Sequence, residues 1–476
     1  MDLRHRPRYH FTSPANFMND PSGLMQWHGR YHLLYQHNPH GAVSANKHKG
    51  HAVSADLVHW VHLPIALAPT PGGPDQAQCA TGCLVDDGGT PTLVYSAFAS
   101  LDPLVESLCL ARSDDNLLTW RKDARNPILA GPPPGLDVLG WRDPCVWREG
   151  SGWSMIMGSG LRGLGGAVLH YRSPDLVRWA YRGPLLVGDG RETGTMWECP
   201  NLFPLGGRQL LVVSHLPERH CVYLSGAYDG EAFIPEAKGT LDWGGCFYAA
   251  QTLADNRGRR LMFGWLQEGR TPEAQRAAGW SGIMSLPQVL SLTAEGRLMM
   301  EPAAEVQALR GRQWRFGDVP LAEAAWAPPG VRGEALELAV TMLPGDALEA
   351  GLALRRSPGG EEETRIAYDR GRGVLRVDLR RSSLAPDVAR DVCEMPLPLA
   401  EGEPLTLRVF LDGSALELYA NGGRYCASRI YPTRDDALGV ALYARGDATR
   451  LVALDVWEMQ SMWQPCVGQL GAPGLG

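Results

Sequence analysis

The chain has 476 residues, 44% hydrophobic and 20% charged, with a net charge of -7 and a pI near 6.0. That length exceeds one ordinary core, so two domains are expected, and the acidic balance argues against nucleic acid or an anionic membrane as partner. The opening MDLRHRPR is charged with no apolar stretch behind it, and no run has the length of a membrane-spanning helix, so a cytoplasmic protein without a signal peptide is expected.

The first informative stretch is Ser13–Asn38. Asn19-Asp20-Pro21-Ser22-Gly23 carries turn chemistry, and Tyr31–Gln36 alternates as a half-buried strand. Asp20 is therefore expected on a tight loop beside Phe17, Met18, Trp27 and Tyr35, near the amides of Asn19 and Gln36. Amides grip hydroxyls, aromatic faces cover a sugar ring, and a carboxylate can attack. A plain turn accounts for Asn-Asp-Pro equally well. Most of the 13 histidines precede residue 63. Pairs such as His48/His51 and His59/His62 lie in strand-like and loop-like sequence, no Cys or Glu completes a ligand set, and no metal is expected. The ten cysteines are scattered without a Cys-x-x-Cys pair and read as reduced thiols.

Three segments then resemble one another: Ser54–Trp60, Ser113–Trp120 and Ser173–Trp179, each a Ser/Asp cluster before Leu and Trp. Tyr228–Phe233 is a degenerate fourth. They recur about every 60 residues, the period of a propeller blade with long loops. Short apolar runs broken by Gly and Pro surround them, and four or five four-stranded blades fit the length to about residue 300. A short helix candidate, Pro302–Leu309, and the Pro/Gly-rich Ala327–Gly330 mark a boundary. Beyond it, alternation at Leu336/Leu338/Val340, Leu375/Val377/Leu379 and Leu405/Leu407/Val409/Leu411, with turns at Asp412-Gly413 and Asn421-Gly422, predicts a β-sandwich. The expected division is a propeller over 1–305, a linker over 306–333, a sandwich over 334–462 and a tail over 463–476.

A propeller lets acids far apart in sequence converge on one channel. Asp20, Asp143 (in Gly140-Trp141-Arg142-Asp143-Pro144) and Glu198 (in Met196-Trp197-Glu198-Cys199-Pro200) each stand beside Pro and an aromatic residue, and fall on different blades. Burial beside Trp197 and Cys199 is expected to raise the Glu198 pKa, and Arg142 to keep Asp143 ionised. Carboxylates with separated pKa values suit glycoside cleavage, although strand-end turns with surface acids would look the same singly.

Together the Asn-Asp-Pro segment, Tyr35-Gln36, Gly50–Ser54, Trp141–Pro144, Trp197–Pro200 and Asp242–Ala249 occur in the order of glycoside hydrolase family 32, which the chain resembles over about residues 8–460. Trp280-Ser281-Gly282, Leu286-Pro287 and Val409–Ser414 extend the resemblance. It implies an all-β chain, a five-bladed β-propeller followed by a C-terminal β-sandwich, with retaining hydrolysis of β-fructofuranosides and no cofactor. Asp20 would match the nucleophile, Glu198 the acid/base, and Asp143 the transition-state stabiliser. Phe17, Asn19, Gln36, Ser44, Ala80, Thr81, Arg142, Tyr248 and Trp265 would bind substrate. A fructan hydrolase, a fructosyltransferase and a non-catalytic sugar binder are open alternatives. The chain departs from the pattern at Ser22, where Asn is usual, across Ala42–Lys49, which lacks the usual tryptophans, at Cys79–Cys83, and at Gln288, where Arg is usual. Lys49 could meet a phosphate, but a lone loop lysine is expected to be solvated.

Overall fold

The computed structural model describes residues 1–447 and 449–463; the expected tail lies outside the described residues from 464 onward. Five antiparallel sheets follow one another along the chain, each starting at its innermost strand: Asn16–Trp27, Gln78–Asp86, Val138–Glu149, Met196–Leu205 and Phe247–Ala254. Successive innermost strands pack side by side, and the fifth packs against the first, which closes a five-bladed propeller. Trp280-Ser281, from the last blade, pairs in parallel with Asn16-Phe17 and latches the ring.

The repeated Ser/Asp segments join the third and fourth strands of blades one to three. In each, an Asp side chain accepts backbone amides, as when Asp175 Oδ1 accepts from Val177 at 3.1 Å and Arg178 at 2.8 Å. The Leu that follows adopts a positive φ (Leu57 70°, Leu117 66°, Leu176 65°). The turn thereby throws Leu inward while the Trp indole of blades one and three caps its carbonyl, at 2.9 Å for Trp60 and 2.8 Å for Trp179. Tyr228–Phe233 makes the matching turn in blade four, with Asp229 Oδ1 accepting from Glu231 and Ala232.

The sandwich packs a six-stranded sheet on a five-stranded one. The expected linker is corrected here. Arg310–Leu321 is the edge strand of the larger sheet, paired with Thr449–Met459. Its Trp314, Phe316 and Val319 pack on the sandwich core. Its apolar residues change parity between Phe316 and Val319, across Asp318 with its φ of 59°, so the sequence shows no continuous strand alternation. Helical structure is confined to Pro272–Ala278, with Thr271 as N-cap and Gly279 in the left-handed C-cap, and a 3-10 turn at Ala304–Leu309, among the described residues.

The two domains share one apolar core. Leu266, Leu286, Met300 and Tyr248 of the propeller cluster with Phe410, Tyr419, Tyr425 and Met459 of the sandwich. Buried carboxylates stitch the same surface. Asp242 accepts from the Phe247 amide at 2.8 Å and the Ala427 amide at 2.7 Å, which fixes the first strand of blade five to the sandwich. His10, fully buried, bridges Asp412 Oδ2 at 2.9 Å and Glu417 Oε1 at 2.8 Å.

Burial alone would lower the His10 pKa, but hydrogen bonds to Asp412 and Glu417 outweigh it and raise it to about 9. A raised folded pKa stabilises fully below the unfolded value of 6.5, and that stabilisation is lost as pH rises through about 9. Removing the cation also strands two buried carboxylates, so His10→Gln should cost roughly 3–5 kcal/mol near neutral pH. Urea unfolding across this range should show the wild type weakening toward alkaline pH and the variant nearly flat.

Candidate active site

Every innermost strand carries a bulge at the same depth in the ring. Asn19-Asp20 oppose Gln36, Ala80-Thr81 oppose Ser96, Asp143-Pro144 oppose Met157, Cys199-Pro200 oppose Val213, and Ala249-Ala250 oppose Gly264. The expected turn at Asn19–Gly23 is therefore a bulged strand, since the residue types that permit turns also permit bulges. Asp143, Cys199 and Ala249 take positive φ values of 63°, 48° and 53° at the bulges. The amides so freed bond to the preceding blade: Asp143 to Ser96 Oγ at 2.7 Å, Cys199 to Asp143 Oδ2 at 3.1 Å, and Ala249 to Ser214 Oγ at 3.1 Å. A sheet-edge irregularity becomes a ring of cross-blade contacts.

The bulges bring Asp20, Asp143 and Glu198 together, so that the charge of Glu198 raises the pKa of both aspartates and that of Asp20 raises the pKa of Asp143. Asp20 is 8% exposed and Asp143 4%. Asp20 accepts from Asn19 Nδ2 at 2.8 Å, Gln36 Nε2 at 3.1 Å and Thr81 Oγ1 at 3.0 Å. Its pKa is raised, chiefly by burial, with the charge of Lys47 opposing and that of Glu198 adding. Glu198 accepts from Arg142 Nε at 2.9 Å and Tyr248 OH at 2.6 Å. Trp197 carries Glu198 into the channel by lying on Gly166, where a Cβ would come within 2.2 Å of the indole.

Two electrostatic expectations are reversed. Burial pushes Glu198 up, but Arg142 and Tyr248 outweigh it and hold the pKa below the ordinary value. Arg142 forks between Glu198 and Glu106, at 2.8 Å each, and makes no hydrogen bond to Asp143. Asp143 is pushed up to about 7 by burial first and then by the Glu198 charge, which the nearby Arg142 only partly offsets.

The remaining expected residues divide. Ala80 and Thr81 form the blade-two bulge. Phe17 meets Trp265 edge-on at 6.2 Å, and the Arg219 guanidinium lies 5.1 Å over Tyr248 and 5.4 Å over Trp265. Ser44 is exposed on the loop before His48–Ser54, outside this network. Glu106 and Arg219 escaped the sequence reading. Glu106 had a signal: it shares a face of Leu104–Arg112 with Leu108 and Leu110, which pack against blade three. Lys49, expected in solvent, is wholly buried and bonded to Ser22 Oγ and the Ala80 carbonyl. A cavity of about 700 Å³ opens at the other mouth of the channel, lined by later residues of the innermost strands such as Met25, Cys145 and Asn201, and includes none of the three acids.

Residues 10–302 match the glycosyl hydrolases family 32 N-terminal domain, and residues 305–458 match the glycosyl hydrolases family 32 C terminal. The chain belongs to glycosyl hydrolase family 32. Within the family it is 33% identical to a sucrose-6-phosphate hydrolase of Zymomonas mobilis subsp. mobilis over 467 residues, 91% of this chain and 88% of that protein. It is 33% identical to the raffinose invertase of Escherichia coli, over 93% of each. The solved beta-fructofuranosidase of Bombyx mori superposes with a TM-score of 0.80 at 27% identity, covering 98% and 96% of the two chains, and a mutant of it is known in complex with sucrose. In this family 32 chain, Lys49 Nζ donates to Ser22 Oγ, two residues past Asp20.

Site-resolved carboxyl NMR should find Glu198 titrating below the ordinary Glu range and a step near pH 7 that Asp143→Asn removes. In Arg142→Met, Glu198 should rise by at least about one unit, since an adjacent opposite charge is worth roughly 1–3 units.

Proposed function

We propose that the protein is a retaining β-fructofuranosidase that releases terminal fructose from sucrose or a related β-fructofuranoside. The observation that carries the reading is three carboxylates from blades one, three and four converging at one depth of the channel. The names of the relatives, sucrose-6-phosphate hydrolase and raffinose invertase, support the same substrate class.

In this reading Asp20, held by Asn19, Gln36 and Thr81 with its oxygens oriented, attacks the fructosyl carbon. The anomeric bond breaks as an ester to Asp20 forms, and the developing oxocarbenium charge is stabilised by Asp143. Glu198 gives a proton to the leaving oxygen, then takes one from the water that cleaves the ester. Arg142 and Tyr248 fix the position of Glu198. The three acids share too little solvent to ionise together, so one proton stays on the coupled Asp143–Glu198 pair up to about pH 7 and supplies the first transfer. Phe17, Trp265 and Tyr248 form the apolar wall, and no cofactor enters any step.

The test is fructose release from sucrose by purified protein. Asp20→Asn and Glu198→Gln should each lower kcat by roughly 10³-fold or more while leaving the fold intact. Near-normal turnover in either would overturn its assignment. As pH rises through about 7 the cluster loses its proton, so kcat/KM should fall on that side. Tyr248→Phe, which removes a donor to the Glu198 carboxylate, should move that alkaline limb upward.

A further inference from the structure

Lys49 sits on the third strand of blade one with none of its surface exposed. Its Nζ donates to Ser22 Oγ and to the Ala80 carbonyl. Ser22 Oγ also accepts the Gly82 amide at 3.1 Å. These contacts straddle the two bulges that face each other across the boundary between blades one and two. Ser22 lies two residues past Asp20, and Ala80 and Gly82 flank Thr81, whose hydroxyl donates to Asp20 Oδ2 at 3.0 Å. Thr81 Oγ1 in turn accepts from Gln36, the residue opposite the Asp20 bulge.

A flexible apolar side chain such as Met would fill this space without desolvating an ammonium group. What Lys adds is a pair of donors that reach both blades at once; burial lowers its pKa to about 7, so the donors rather than a fixed charge are its contribution. The ionisable groups around it are Cys79 on the blade-two strand, Asp20 and Asp143 from blades one and three, and Lys47 on the preceding loop. Among the described residues Lys49 makes no salt bridge, and its hydrogen bonds are directed at the serine and the carbonyl. Ser22 and Lys49 are the two ends of one bond.

We propose that Lys49 is a positioning residue for the fructoside reaction: by tying Ser22 to the Ala80 carbonyl it locks the Asn19-Asp20 and Ala80-Thr81 bulges against each other, so that Thr81 holds the Asp20 carboxylate in line for attack. It touches neither substrate nor reacting atom. The proposal rests on the reading of Asp20 as nucleophile.

The experiment measures kcat and KM for fructose release by wild type, Lys49→Met, Ser22→Ala, Thr81→Val and the Lys49→Met/Thr81→Val double variant. Loosening the nucleophile without removing sugar contacts should lower kcat by about 10–100-fold in Lys49→Met, the scale of a misplacement near 1 Å, with KM changed little. In the Thr81→Val background the same substitution should add less than about twofold, because the two residues act through one chain of contacts. A packing role alone predicts kcat unchanged at matched folded fraction, or fully additive losses, and either result overturns the proposal. If Lys49→Met does not fold, Ser22→Ala decides: it leaves the ammonium in place, and an unchanged kcat overturns the proposal. A wild type that releases no fructose from sucrose, raffinose or inulin overturns the fructosidase reading and this proposal with it. An active wild type with unaffected variants overturns the positioning role alone.

Discussion

Three like charges brought together out of water are the constraint around which this molecule is built. Two carboxylates about 5 Å apart repel by roughly 3 kcal/mol at an effective dielectric near 20, and burial adds to that cost. Much of the surrounding polar structure offsets it. Arg142 is divided between Glu198 and Glu106, Tyr248 caps Glu198, and amides and a hydroxyl converge on Asp20. What is left unbalanced appears as the raised pKa of Asp143, so the Asp143–Glu198 pair keeps one proton between them up to about pH 7. Chemistry that needs a carboxylate and a carboxylic acid side by side follows from that imbalance.

The fold's contribution is a repeated irregularity. Each blade could have run its innermost strand straight through the channel, and each instead inserts one extra residue at the same depth. The bulge turns successive side chains toward the ring and frees amides that the neighbouring blade accepts, as Ser96 and Ser214 do. The sandwich matters to the site indirectly. Through Asp242 it anchors the start of blade five, next to Tyr248, and the shared apolar core keeps that blade seated.

Much of this was legible in the sequence, for identifiable reasons. The Ser/Asp-Leu-Trp segments are local turns whose hydrogen bonds lie within a few residues, so their chemistry is written where it acts. The three acids were visible as carboxylates beside Pro and aromatic residues. Their electrostatics were not, because the fork of Arg142 to Glu106 joins residues 36 positions apart and only the ring closes that distance. The burial of Lys49 is not legible locally, because a strand that opens His-Lys-Gly-His does not announce that its neighbours are another blade's backbone. The strand Arg310–Leu321 is not legible as one, because its apolar residues change parity between Phe316 and Val319, across Asp318 with its φ of 59°. The short helix Pro272–Ala278 had a Thr cap, Pro and Gly in the right order but only two turns of sequence.

The central claim is that Asp20 forms a covalent fructosyl intermediate that Glu198 helps to resolve. The most direct measurement is mass spectrometry of proteolysed Glu198→Gln protein after brief exposure to a fructoside with a good leaving group, which needs no general acid for the first step. The account predicts a fructosyl ester on the peptide that contains Asp20, absent from Asp20→Asn. Rapid turnover with no adduct, or an adduct on another carboxylate, would contradict it.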